Sequence, residues 1–139
     1  MLIRSEHLAT FQPQADEQFI DELVEHLLDE YDDVTVELPL ETTGIDEVPR
    51  EVLREMVGKG IERARRYGLT WESTLASFVS LMFVVAPNFD EHPLIQHALT
   101  TETIAPDERI ELLWEGITDE HWDAAGNSYD PHAWGVDSP

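Results

Sequence analysis

Six basic side chains crowd residues 50–66: Arg50, Arg54, Lys59, Arg63, Arg65 and Arg66. Guanidinium groups recognise carboxylates, phosphates and carbonyls, because each offers a planar fork of donors that keeps its charge. On a helical wheel Arg50, Arg54 and Arg65 line one flank of an apolar arc, and Lys59, Arg63 and Arg66 line the other. Glu51, Glu55 and Glu62 occupy the far side, so the spacing also offers an internal use for these charges. Glu55 with Lys59 and Glu62 with Arg66 are i,i+4 pairs, each worth about 0.3–0.5 kcal/mol. Arg63 differs, since its wheel angle falls inside the apolar arc. It should either snorkel along the core edge or meet a carboxylate near the interior.

Other chemistry is hard to build from this chain. His92 and His97 are five apart and diverge on a helix, while His7, His26, His121 and His132 are scattered. There is no HExxH and no histidine pair at i,i+4, so no metal site is expected. The acidic run Asp29, Glu30, Asp32, Asp33 lacks the glycine and ligand spacing of a calcium loop. The chain has no cysteine, no GxSxG, no P-loop and no dinucleotide fingerprint. No catalytic residue and no cofactor are therefore assigned, and a non-enzymatic protein is expected. A second candidate surface is aromatic. Trp122, Tyr129 and Trp134 sit among acids near the C-terminal end, where they either pin that segment to the domain or dock a partner.

Charge narrows the partners. The formal net charge is -22, from 30 acidic and 8 basic residues. Residues 1–49 carry -13 and residues 67–139 carry -12, whereas residues 50–66 carry +3. Such a surface repels nucleic acid and anionic lipid and steers toward basic protein surfaces. Solubility, or adaptation to high salt, is the plainer use of the same charge. The opening MLIRSEHL has too short an apolar run for a signal peptide, and Leu81 to Pro87 falls far short of a membrane span. A soluble, intracellular protein is expected.

The elements that must hold these residues are helices. A chain of 139 residues makes one domain that buries about 68% of its unfolded surface. Ser5 could cap a short first helix that ends near Pro13. Phe19, Ile20, Leu23, Val24, Leu27, Leu28 and Tyr31 make the apolar stripe of the next one. Residues 32–48 read as an irregular insertion, because VTVEL alternates but has no evident partner strand. Pro49 starts a helix in which Gly60 marks the close approach of another helix, and Gly68 ends it as a left-handed cap. Residues 71–86, opened by Thr70, carry no charge from Ser73 onward, which predicts a buried central helix. Asp90 could cap a fifth helix, with Phe89 and Leu94 as a staple. Pro106 opens a sixth, and Asp119 to Ala125 add a short seventh. The expectation is an all-α bundle of five to six helices over residues 1–125, with an extended acidic and aromatic tail over 126–139.

The block Gly60 to Pro93 resembles a family of small bacterial proteins associated with type VI secretion gene clusters. The shared pattern is Ile61 to Gly68 (IERARRYG), Thr70-Trp71-Glu72-Ser73, Phe78 to Phe83 (FVSLMF) and Pro87 to Pro93 (PNFDEHP). Pro106-Asp107-Glu108-Arg109 with Trp114, the opening MLIRSEHLATF and the YDPHAW of Tyr129 to Trp134 extend it. The loop from Asp32 to Val48 and the acidity depart from it. The resemblance implies a cytoplasmic adaptor or co-chaperone for effector loading, bound to an effector, an adaptor chaperone or a PAAR- or VgrG-type spike component. It implies no catalytic residue, only a candidate interaction surface of Arg63, Arg65, Arg66, Tyr67 and Trp71. Two other readings of the acidity are an immunity protein that plugs a basic toxin cleft and, further off, a DNA mimic.

Overall fold

The computed structural model describes residues 13–136, and the helix expected from Ser5 lies outside them. Among the described residues there are six helices: α1 (Pro13–Glu30), α2 (Arg50–Arg66), α3 (Glu72–Val84), α4 (Pro93–Leu99), α5 (Ile110–Gly116) and α6 (Asp119–Asn127). One antiparallel hairpin joins α1 to α2, made of β1 (Thr35–Leu38) and β2 (Glu41–Gly44). The fold is a compact helical bundle with this small sheet at its side. No helix among the described residues is long and apolar enough to cross a membrane.

α3 lies at the centre, as its uncharged faces predict. Leu75, Phe78, Val79, Met82 and Phe83 are buried. Its N-terminal and C-terminal ends reach the surface at Trp71 and Val84. α2 packs directly against it. A Cβ on Gly60 would stand 3.0 Å from Met82 Sδ and 3.1 Å from Val79 Cγ2, so the glycine sets the spacing of the two helices. Gly68 ends α2 at φ +89°, a conformation that other residues rarely adopt.

The hairpin replaces the irregular insertion expected over 32–48. Thr35 pairs with Gly44, and Leu38 with Glu41. Val36 and Leu38 turn inward, followed by buried Ile45 and Val48. The second strand, ETTG, is polar and short, so alternation alone gave no sign of it. Two helix starts also differ from expectation. Asp90 does not cap α4: it lies buried in a 3-10 turn, Phe89–Glu91, and His92 Nδ1 accepts from Leu94 N instead. With the cap moved, the Phe89–Leu94 staple loses its register, and Leu94 is largely exposed. Thr70 does not cap α3 either: Trp71 stands at the N-cap position without a side-chain cap, and the Thr70 hydroxyl donates to Asp107 across the bundle.

Candidate functional site

The basic residues of α2 are held mostly by partners within the chain. α1 runs antiparallel along α2 and meets its outer cations in a ladder. Arg65 pairs with Asp16 at 3.1 Å, Arg54 with Glu17 and Asp21, and Arg50 with Glu25 at 2.8 Å. The expected pairs within α2, Glu55–Lys59 and Glu62–Arg66, are not formed. An i,i+4 pair contributes only tenths of a kcal/mol, so a carboxylate on the neighbouring helix competes easily.

Arg63 takes the interior option. Its Nε donates to both carboxylate oxygens of Asp90, at 2.9 and 3.0 Å, and Nη2 reaches Glu91 at 3.1 Å. Tyr67 Oη donates to Asp90 Oδ2 at 2.7 Å. The Asp90 side chain is 3% exposed and that of Arg63 16%. Burial alone would lower the pKa of Arg63, but the neighbouring Asp90 and Glu91 carboxylates outweigh it and raise the value. Burial, reinforced by the hydrogen bond to Asp90, pushes Tyr67 up to about 12. This cluster is a fixed ion pair with its lone pairs satisfied, and it ties the end of α2 to the turn before α4.

Asp107 organises a second junction. Its carboxylate accepts from Thr70 N and Trp71 N, at 2.9 and 3.0 Å, and from the hydroxyls of Thr70 and Thr74. Burial would raise its pKa, but these four hydrogen bonds together hold it below the usual carboxylate range. The residue braces the turn that leads into α3, from a position 33 residues beyond Thr74.

The C-terminal aromatics act as pins. Trp134 is fully buried, with its ring centroid 4.6 Å from that of Phe83 and the planes tilted 47°, and its Nε1 donates to Tyr129 Oη at 2.9 Å. The same Tyr129 oxygen accepts from Glu37 N at 3.0 Å, which ties this segment to the hairpin. Asn88 holds it from the other side, donating to Ser128 O and accepting from Asp130 N, both at 3.0 Å. The segment expected as an extended tail thus carries a 3-10 turn at Pro131–Trp134 and is drawn onto the bundle; residues 137–139 lie outside the described ones. Trp122 is half-buried, between the rings of Phe89 and Trp114.

Of the candidate interaction residues, Arg63, Arg65 and Tyr67 are therefore engaged inside the molecule. Arg66 and Trp71 remain exposed, and Arg66 has no ion-pair partner among the described residues. The contacts of Asp90, Asp107 and Asn88 are tertiary: Asp90 reads locally as a cap, and nothing in the sequence near Asp107 or Asn88 names the partner each one meets. Elsewhere the acids are unopposed. Arg109, the one cation after residue 66, turns inward and donates to the Ile104 and Leu99 carbonyls. α5 and α6 carry Glu111, Glu115, Asp119, Glu120 and Asp123, all exposed and none ion-paired among the described residues.

Comparison with protein-family models, with curated proteins and with solved structures finds no match for this chain.

Proposed function

We propose that this protein is a non-enzymatic accessory factor that binds another protein, and that its task is effector loading in type VI secretion, as an adaptor or co-chaperone in the bacterial cytoplasm. The resemblance centred on residues 60–93 supplies that setting. One observation supports the binding mode: the α2 arginines are taken up by internal carboxylates, whereas the acids of α5 and α6 have no internal counterpart. A surface of that kind favours a cationic partner and repels acidic ones. The proposed contact thus moves away from Arg63 and Arg65, which have structural duties.

The test is co-purification with the effector, adaptor chaperone or spike-tip protein encoded beside it. A complex that weakens as salt is raised is the expected result, and Arg66→Glu should leave it intact. No complex with any of the three at low salt overturns the reading. The same unopposed carboxylates fit a second one, an immunity protein seated in the basic cleft of a toxin. Rescue of cells expressing the neighbouring toxin domain, with secretion unaffected, would select it.

A further inference from the structure

We infer that the paired indoles of Trp114 and Trp122, where α5 meets α6, form the surface on which a cationic segment of the partner docks, with Lys or Arg side chains lying against the rings. The inference rests on the binding mode just proposed and assigns it a place. Trp114 is 51% exposed, unusual for the largest apolar side chain. Its ring centroid lies 6.2 Å from that of Trp122, with the planes tilted 33°. Trp122 is in turn backed at 6.5 Å by the fully buried Phe89, so the pair is mounted on the core. Rigid aromatic faces presented to solvent attract cations through the ring quadrupole.

The charge around the rings fits the same occupant. Helical spacing sets Glu111 beside Trp114 and Asp119 beside Trp122, each three residues before the indole. Glu115 and Asp123 lie one residue on, turned away round the helix, and add to the local negative charge without contacting the rings; all four carboxylates are exposed and free of ion pairs among the described residues. No Lys or Arg on α5 or α6 competes for them. Trp71 is as exposed as Trp114 and is followed by the exposed Glu72, but no ring stands beside it among the described residues, and the Asp107 carboxylate next to it is saturated by hydrogen bonds. An apolar partner face would meet unpaired carboxylates here at a desolvation cost, whereas an Arg or Lys side chain satisfies ring and rim together.

The probe is a fluorescein-labelled synthetic peptide of alternating arginine and glycine, titrated into the full chain and followed by anisotropy. Trp114→Leu should weaken binding about two- to fivefold, while Trp114→Phe keeps most of it. Glu111→Gln with Asp119→Asn should weaken it further and flatten its salt dependence. Glu30→Gln with Asp33→Asn removes the same charge at the far end of α1 and should change it less. Equal binding by Trp114→Leu, or an equal loss from the α1 pair, overturns the docking surface. Circular dichroism confirms that each variant is folded. The two proposals fail separately. If peptide binding depends on Trp114 but no secretion component binds, the functional setting falls and the surface stands. If a secretion component binds and Trp114→Leu changes neither assay, the surface falls alone.

Discussion

Arg63 and Arg54 stand two and a half turns apart on one helix, carry the same group, and each meets two carboxylates, yet they do different work. The difference lies in the carboxylates: Arg63 meets Asp90, whose side chain is 3% exposed, whereas the half-buried Arg54 meets Glu17 and Asp21, which are at least half exposed between α1 and α2. Enclosure decides the consequence. An exposed pair exchanges one set of hydrated charges for another, while an enclosed one cannot lose a member without leaving a bare charge behind.

The sharpest way to break this contrast is Asp90→Ala. It should destabilise the fold by about 3–5 kcal/mol in denaturant unfolding, because Arg63 loses its buried partner and keeps only the exposed Glu91, and the Tyr67 hydroxyl loses its acceptor. A cost under about 1 kcal/mol would place Arg63 with the surface ladder. A milder probe is the phenol. Tyr67 holds its proton up to about 12, against about 10 for a free tyrosine. Its folded value is the higher one, so its contribution to stability is complete below pH about 10 and is lost as the pH climbs toward about 12. In Asp90→Asn the spectroscopic titration of Tyr67 should move back toward the free value.

Asp107 lies between the extremes. Asp107→Ala should cost about 1–2 kcal/mol, because two backbone N–H groups and two hydroxyls lose a partly buried charged acceptor. Its carboxylate is depressed in the folded state, so it stabilises above the unfolded pKa of about 4 and ceases to as the pH falls through the folded value. The acid limb of the wild-type stability profile should therefore be shallower in the alanine variant. The smallest effect belongs to Arg54→Ala. Under about 1 kcal/mol is expected, fading as salt is added. An effect that survives high salt would show that the ladder behaves as an enclosed network after all.

Periodicity made the helices legible, and with them the centre. The charge-free faces of residues 73–86, the gap at Gly60 and the left-handed stop at Gly68 follow from local rules, and each is where those rules put it. The partners were not legible. Asp90 looks like an ordinary cap and Asp107 like an ordinary acid in a first helical turn, and only the tertiary path shows that one faces Arg63 and the other the turn before α3, 36 residues earlier. The ETTG strand escaped for a related reason: it has no apolar alternation of its own and is defined by the strand beside it. The proposed docking pair was half visible. Ile110, Leu113, Trp114 and Ile117 have the spacing of one apolar stripe, but the short α5 turns only Ile110 and Leu113 fully inward.

The placement of Trp134 has a bearing on biosynthesis. Chains leave the ribosome from their N-terminal side, and the first three helices can gather before the rest exists. What they gather is unfinished, since the ring that packs on Phe83 and the tyrosine that fastens the hairpin arrive about fifty residues later. The nascent molecule must pass through a stage with an open seam beside α3, and that interval is when a chaperone would find the most to hold.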